Sequence, residues 1–277
     1  MPSAGIDPVL LAQAAALPLD AVEVVASLDS TNRELMRRAA PPPPASGAAV
    51  RLLLAVEQFA GRGRQGRSFL SDPADSLTFS LAIDHRRIPG TPPLVGLSLA
   101  LGVAVAQVAA RHVEGIGLKW PNDLLRNGRK CAGMLIESRL SGMAERVVIG
   151  LGVNLRLPPA LAQAIGQPAC GLFDSLPTMP PRATLAGEFA RALTDATLGF
   201  LQQGFADTAV QWARFDVLAG REVSILEDGR IRLVGIADGL DANGALRVRT
   251  ASGTVSVAVG DVSARLGDLS GTGDAQA

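Results

Sequence analysis

The stretch Val50-Arg51-Leu52-Leu53-Leu54-Ala55-Val56-Glu57 leads into Gly61-Arg62-Gly63-Arg64-Gln65-Gly66-Arg67, here named the Gly/Arg loop. The first segment is a mainly apolar run of strand length, which predicts a buried strand. In the Gly/Arg loop, glycines let consecutive backbone N–H groups converge on an anion, and arginines add charge-assisted donors. The pair therefore predicts a strand that ends in a loop for a phosphate or an acyl phosphate. A flexible basic loop, or an Arg-Gly contact to nucleic acid, stays open from this stretch alone.

The rest of the first 218 residues predicts an α+β fold. Branched-chain runs bounded by Gly, Pro, Asn or Asp predict further strands of one mixed β-sheet at 21–25, 76–83, 116–120, 130–137 and 147–154. Helical spacing predicts helices at 7–16, 93–112 and 184–200, the last two covering one face of the sheet, and a shorter helix that starts where Thr31 and Glu34 have capping-box spacing. Four consecutive prolines make 41–47 a loop.

After Gly220 the sequence changes to short strands separated by Asp228-Gly229, Asn243-Gly244 and Ser252-Gly253. Such dipeptides supply the positive φ values of tight hairpins, so this part predicts a small all-β barrel. We therefore expect a catalytic domain at 1–218, a barrel at 219–267 and a disordered tail at 268–277.

Composition narrows the classes of function. The chain has 277 residues, and 26 Lys and Arg balance 26 Asp and Glu, so no overall field draws it to nucleic acid or an anionic membrane. Two cysteines and two histidines are too few for a conventional zinc site or a disulfide framework. No secretory leader, membrane span, P-loop, HExxH or GxSxG motif is present, and we expect a cytoplasmic protein without a membrane partner.

Three further motifs carry polar groups at the ends of predicted strands. Lys119-Trp120-Pro121-Asn122-Asp123 places a lysine where a strand ends, as a fixed charge for a carboxylate or phosphate, although an ordinary turn explains it equally. Ser30-Thr31-Asn32 offers hydroxyl and amide groups at a strand-to-helix corner, and helix capping explains Thr31 alone. Gly150-Leu151-Gly152-Val153-Asn154 is either a strand that needs close backbone approach or a weak nucleotide signature.

Taken together and in order, five motifs closely resemble the biotin–protein ligase family. They are Ser30-Thr31-Asn32, then Glu57-Gln58 with the Gly/Arg loop, then Lys119-Trp120-Pro121-Asn122-Asp123-Leu124, then Lys130-Cys131-Ala132-Gly133-Met134-Leu135-Ile136-Glu137, then Gly150-Leu151-Gly152-Val153-Asn154. The resemblance spans most of the chain. It implies a catalytic domain of class II synthetase-like fold followed by an SH3-like barrel.

The resemblance also implies an ATP-dependent ligase. Biotin and MgATP would give biotinyl-5′-AMP and pyrophosphate, and a lysine of the biotin carboxyl carrier domain of acetyl-CoA carboxylase, or of a similar biotin-dependent enzyme, would then be acylated. Biotin's carboxylate is already ionised at neutral pH, so its attack needs alignment, Mg²⁺ and charge neutralisation rather than a general base.

Motif position implies the site residues. Arg64 and Lys119 would be catalytic, against the carboxylate and phosphate oxygens. The other implied contacts to biotin or the adenylate are Ser30, Thr31, Asn32, Gln58, Gly61, Arg62, Gly63, Gly133 and Asn154. Asn122 and Asp123 are only candidates for Mg²⁺. Phe69 and Phe79 stand where family members often have Trp or Tyr, which affects the adenine side. The loop is expected to be mobile without ligand and to close on the adenylate.

Other functions stay open. A lipoate ligase or octanoyltransferase has a related catalytic fold, and a non-catalytic RNA- or protein-binding module would use the barrel and the Gly/Arg loop. An aromatic content of 4% provides few stacking platforms for RNA. Only 29 residues precede Ser30, too few for a helix-turn-helix domain, so we expect the family form without DNA binding, as a monomer or homodimer.

Overall fold

The structure is a computed structural model that describes residues 5–174, 176–227, 230–258 and 263–266. The helices are α1 (Pro8–Ala15), α2 (Thr31–Arg37), α3 (Leu97–Ala110), α4 (Pro159–Ile165), α5 (Arg182–Gln203) and α6 (Thr208–Trp212). The strands are β1 (Val22–Leu28), β2 (Ala48–Gln58), β3 (Ser76–Arg86), β4 (Ile116–Lys119), β5 (Asp123–Arg126), β6 (Arg129–Ser141), β7 (Ala144–Asn154), β8 (Glu222–Glu227), β9 (Arg230–Leu240), β10 (Leu246–Thr250), β11 (Gly253–Val257) and β12 (Ser263–Leu266). Within the described residues, no helix is both long enough and apolar enough to cross a membrane.

A seven-stranded sheet in the order β1-β2-β3-β7-β6-β5-β4 organises the larger part of the chain. β1 and β2 are parallel and the other neighbours are antiparallel, which confirms the predicted mixed sheet. β5 was not predicted, because the turn signal at Pro121-Asn122-Asp123 masked it. Asn127 and Gly128, with φ of 49° and 76°, form the hairpin turn that connects β5 to β6.

The two faces of this sheet have different roles. Alternate residues of β2 and β3, such as Leu52 and Leu81, join the main core together with α1, α3 and α5. On the other face Leu53 packs with Leu35 of α2 in a small separate cluster. This second face of the sheet is named here the α2 face. The part of it outside the small cluster is available for a site.

The start of α2 differs from the prediction by one residue. The N-cap is Ser30, whose Oγ accepts a hydrogen bond from the Arg33 N–H at 3.5 Å. The Glu34 side chain pairs with Arg38 at 2.8 Å and with Arg37. The predicted capping box of Thr31 and Glu34 is therefore wrong, because Thr31 already lies inside the helix and Glu34 is held by arginines instead.

The C-terminal part forms a five-stranded antiparallel sheet in the order β11-β10-β9-β8-β12. Asn243 and Gly244 lie in the predicted turn between β9 and β10, whereas the predicted turn at 228–229 and the predicted tail at 268–277 lie outside the described residues. The Trp120 indole N–H donates to the Gly244 carbonyl at 3.2 Å. This hydrogen bond joins the small sheet to the end of β4.

Candidate active site

Three glycines lie together on the α2 face and are named here the glycine floor. Gly133 of β6 pairs with Gly152 of β7, and Gly150 lies two positions from Gly152 along β7. A Cβ at Gly150 would lie 2.2 Å from Asn32 Oδ1, and a Cβ at Gly152 would lie 2.3 Å from the ring of Phe69. These positions require glycine because other groups approach the sheet backbone closely there.

A cluster of polar side chains, the polar corner, borders the glycine floor and consists of Ser30, Thr31, Asn32, Ser80 and the half-buried Gln58. The Thr31 N–H donates to Gln58 Oε1 at 2.7 Å, Thr31 Oγ1 lies 2.7 Å from Ser80 Oγ, and Ser80 Oγ donates to Asn32 Oδ1 at 2.6 Å. Ser30, Thr31, Asn32 and Ser80 are no more than 3% exposed. Buried polar groups joined in this way are fixed in orientation before any ligand arrives.

Asn32 braces this corner. Its amide nitrogen donates to the Leu135 carbonyl at 3.2 Å and to Glu137 Oε2 at 3.0 Å. Both amide protons are thus used within the protein. Asn32 therefore connects α2 to β6, and Thr31 and Gln58 form the part of the corner at the end of β2.

The Gly/Arg loop leaves β2 beside the polar corner, where the Ala60 N–H donates to the Asp29 carbonyl at 3.0 Å. The loop folds back on itself, since the Gly63 N–H donates to the Arg67 carbonyl at 2.7 Å and the Phe69 N–H to the Gly61 carbonyl at 2.9 Å. The predicted convergence of glycine N–H groups on an anion is therefore wrong at Gly63, whose N–H is spent inside the loop. Among the loop's arginines, Arg64 reaches the site, where its side chain donates to Asn122 Oδ1.

A group of cations, named here the cation cluster, surrounds Asp123 beyond the glycine floor and consists of Arg64, Lys119 and Lys130. Lys130 Nζ lies 2.7 Å from Asp123 Oδ1. Lys119 is the β4 partner of Asp123, which in turn pairs with Gly133. Arg64 Nη1 donates to Asn122 Oδ1 at 3.2 Å, next to Asp123 in the chain. Positive charge is in excess here, so the cation cluster favours an anionic ligand.

The charge of Arg64 persists in this half-buried position. Burial lowers the pKa of Arg64, while the nearby Asp123 carboxylate opposes that shift. An arginine pKa starts so far above neutrality that the guanidinium stays protonated. In a partly buried site such a charge acts on a phosphate or carboxylate more strongly than it does in water.

The structure brings most of the predicted site residues to the α2 face, and it adds two that were not predicted. Lys130 begins the motif that contains Gly133, and its Cε lies 3.4 Å from the position of a Cβ on Gly133. Glu137, in the same motif, accepts hydrogen bonds from Asn32 and Arg62. Asn154 is 5% exposed, and its Oδ1 has no hydrogen-bond partner within the described residues. The alternation of β6 was the available signal for Glu137, since it shares a face with Gly133.

The two candidate Mg²⁺ ligands are engaged by cations. Asn122 Oδ1 accepts from Arg64, and Asp123 Oδ1 from Lys130. Across the part of the chain that is described, no three His, Cys, Asp or Glu side chains come together as a metal site. Protein side chains of this kind suit a Mg²⁺ ion that keeps water and phosphate oxygens as most of its ligands.

A mixed sheet with a polar corner, a glycine floor and a cation cluster suits an α+β protein that holds an anionic ligand such as a carboxylate or a phosphate. In agreement, the Biotin/lipoate A/B protein ligase family matches residues 26–154, and the Biotin protein ligase C terminal domain matches residues 219–265. The chain belongs to the biotin protein ligase family. The predicted family, fold class and enzyme class are thereby confirmed.

Individual relatives agree over most of the chain. The biotin–[acetyl-CoA-carboxylase] ligase of Mycobacterium tuberculosis is 32% identical over 87% of this chain and 88% of its own length. The ligase of the same name from Paracoccus denitrificans is 32% identical over 86% of this chain and 98% of its own. The biotin protein ligase from Aquifex aeolicus, solved in complex with biotin and ATP, superposes with a TM-score of 0.73 at 24% identity, covering 89% of this chain and 99% of that one. This last similarity shows the fold.

Proposed function

We propose that this protein joins biotin to AMP in the site on the α2 face and then transfers biotin to a lysine of a biotin carboxyl carrier domain. The observation that carries the proposal is the position of the polar corner and the cation cluster at two ends of the glycine floor. Ser80 of β3 and Asp123 of β5 are three strands apart in the sheet, which is roughly 14 Å. This arrangement suits an elongated ligand with a polar head at one end and a carboxylate at the other.

The polar corner is proposed to hold the biotin head. Thr31 and Gln58 offer hydroxyl and amide groups whose orientation is fixed by hydrogen bonds, and Ser30 adds a hydroxyl at the helix cap. Asn32 holds these groups in place through its bonds to Ser80 and β6. At Gly150 and Gly152 the floor is covered by Asn32 and by the Phe69 ring, so the ligand is proposed to lie along these side chains and to reach the sheet at Gly133, beside Lys130.

The cation cluster is proposed to drive the first step. The biotin carboxylate attacks the α-phosphorus of ATP, a new O–P bond forms, and the bond to pyrophosphate breaks. Negative charge grows on the phosphoryl oxygens as this occurs, and Arg64, Lys119 and Lys130 are preorganised to stabilise it. Lys130 joins the two residues predicted from the sequence because its Nζ lies beside Asp123 on the same part of the sheet.

The second step uses the same charges. The neutral amine of the acceptor lysine attacks the acyl carbon of biotinyl-5′-AMP, an amide bond forms, the bond from the acyl carbon to the phosphate oxygen breaks, and AMP leaves while the amine proton passes to solvent. The cation cluster stabilises the tetrahedral oxyanion and the departing phosphate. Mg²⁺ would arrive as part of the substrate MgATP and would supply further charge neutralisation, with Asn122 and Asp123 as its candidate protein ligands in exchange for their contacts to Arg64 and Lys130. Asn154 Oδ1, which has no hydrogen-bond partner among the described residues, is proposed to accept from the nucleotide side of the ligand.

Biotin-dependent exchange of pyrophosphate into ATP tests the first step. The wild-type protein should catalyse exchange with biotin and not with lipoate. Replacement of Lys119, Lys130 or Arg64 by alanine should slow it by about 100-fold or more, because each removes a charge that stabilises the transition state. Arg191→Ala, which removes an exposed arginine from α5, is the matched control and should leave exchange unchanged.

Three results would contradict the proposal in different ways. Exchange with lipoate in place of biotin would assign the site to a lipoate ligase. No exchange with either acid would indicate a binding module without this chemistry. Normal exchange by Lys119→Ala and Lys130→Ala would reject the roles of these lysines, provided that the midpoints of thermal unfolding stay within about 2 °C of wild type.

A further inference from the structure

Glu137 connects the polar corner to the Gly/Arg loop through the two oxygens of one carboxylate. Oε2 accepts from the Asn32 side-chain amide at 3.0 Å, and Oε1 accepts from Arg62 Nη1 at 3.2 Å. The Glu137 side chain is 26% exposed and that of Arg62 is 42% exposed. The carboxylate is thus held on its inner side by a buried amide and on its outer side by the loop.

The inner hydrogen bond belongs to a continuous network. Asn32 Oδ1 accepts from Ser80, the Thr31 hydroxyl contacts Ser80 Oγ, and the Thr31 backbone N–H donates to Gln58 Oε1. The side chains proposed to hold the biotin head are therefore joined, bond by bond, to the carboxylate that holds the loop. A network of this kind is cooperative, since moving one member misaligns its neighbours.

The outer ion pair determines where the loop lies. Arg62 follows Gly61, the first residue of the Gly/Arg loop, and precedes Arg64 by two positions. Arg62 and Ser68 form a β-bridge across the loop, so the two arms move together. Because the Arg62 guanidinium is held by Glu137 of β6, the loop is held in a position from which Arg64 reaches Asn122.

We propose that Glu137 is a positioning residue that holds the Gly/Arg loop closed over the bound intermediate and aligns that closure with the polar corner. Glu137 acts through Arg62 and Asn32 rather than by touching the substrate. This inference rests on the proposed function, because the ligand under the loop is taken to be biotinyl-5′-AMP. Glu137 is the last residue of the motif Lys130–Glu137, and the inference gives it a role separate from that of Gly133.

The dissociation rate of bound biotinyl-5′-AMP is the measurement that tests this role. In Glu137→Gln the carboxamide oxygen still accepts from Asn32, but the attraction to Arg62 is lost. Partly exposed ion pairs are weak, so dissociation should accelerate by about three- to tenfold and the difference should shrink at high salt. The midpoint of thermal unfolding without ligand should stay at the wild-type value, which a merely structural role would not predict.

A double-mutant cycle assigns the effect to the ion pair. In the background of Arg62→Ala, the further change Glu137→Gln should alter dissociation by less than about 1.5-fold, because its partner is already absent. In the adenylate complex of the single variant Glu137→Gln, trypsin cleavage after Arg64 or Arg67 should also be faster than in wild type. Asp238→Asn, which breaks the exposed pair with Arg247 on the small sheet, is the matched control and should change neither rate.

The outcomes separate this inference from the function on which it rests. If the wild-type protein forms no biotinyl-5′-AMP, the proposed function and this inference both fail. Two results would overturn only the positioning role, provided that wild type holds the adenylate. One is that the effects of Glu137→Gln and Arg62→Ala on the dissociation rate are independent, so that the double variant shows their product. The other is that the adenylate leaves Glu137→Gln at the wild-type rate.

Discussion

Replacing Gly150 with alanine tests how tightly the glycine floor and the polar corner are packed. The new Cβ would lie 2.2 Å from Asn32 Oδ1, whereas ordinary van der Waals contact begins at 3.4 Å, so Asn32 has to move by about 1 Å. Asn32 is buried and makes hydrogen bonds to Ser80, Leu135 and Glu137. If the displaced Asn32 loses these hydrogen bonds, it cannot replace them with hydrogen bonds to water, because it is buried.

The loss follows from those hydrogen bonds. Each contributes about 1 kcal/mol, and a buried group left without its partner costs more, so Gly150→Ala should lower the free energy of unfolding by about 2–4 kcal/mol. Urea denaturation followed by circular dichroism measures it. Gly199→Ala in α5 is the matched control, since a Cβ there meets nothing within 4 Å. That change should raise the free energy of unfolding by about 0.5–1 kcal/mol, because alanine is the better helix former.

Two results would refute this reasoning. A free energy of unfolding for Gly150→Ala within about 0.5 kcal/mol of wild type would show that the corner yields without cost. A cost that is unchanged in the background of Asn32→Ala would show that the clash lies elsewhere, because that background removes the contacted amide.

Three more substitutions test other parts of the fold by urea denaturation. Arg146→Ala leaves the Asp84 carboxylate buried without the two hydrogen bonds that it accepts at 2.7 and 2.9 Å. The free energy of unfolding should fall by about 3–5 kcal/mol. A fall of less than about 1 kcal/mol, the value of an exposed ion pair, would contradict this. Burial raises the pKa of Asp216 above its ordinary 3.8, so the stability that the protonated acid contributes is lost as the pH rises through the folded-state pKa. The free energy of unfolding of Asp216→Asn, relative to that of wild type, should therefore be higher at about pH 7 than at about pH 4. The same difference between the two proteins at both pH values would contradict this. Trp120→Phe removes the hydrogen bond to Gly244 and should cost about 1–2 kcal/mol, whereas an unchanged unfolding curve would show that this bond does not join the two sheets.

The strands and long helices were predictable because their apolar residues repeat with a clear period. β3 and β7 are long, branched-chain runs, and α5 spans Arg182–Gln203 around the predicted 184–200. β5 was missed although Asn127-Gly128 is a hairpin signal, since Pro121-Asn122-Asp123 just before it is an equally good turn signal. Local patterns can thus compete, and only pairing across the sheet decides between them.

The site was predictable as a set of motifs but not as a geometry. Thr31, Gln58 and Arg64 are predictable because their motifs resemble those of a family, but the sequence alone does not give the distances between them. Lys130 was overlooked because its place beside Asp123 depends on a register shift in the pairing of β5 with β6. Glu137 was overlooked because its partners are 105 and 75 residues away along the chain. Contacts of that separation arise from the tertiary fold.

Mass spectrometry of the product formed when the purified protein is mixed with biotin and MgATP tests the central claim most directly. The protein should yield biotinyl-5′-AMP that stays bound in a one-to-one complex and that decays when a biotin carboxyl carrier domain is added, with biotin appearing on one lysine of that domain. Lys119→Ala should yield far less adenylate at the same protein concentration. Absence of biotinyl-5′-AMP from the wild-type mixture, or equal formation of the lipoyl adenylate from lipoate, would contradict the claim.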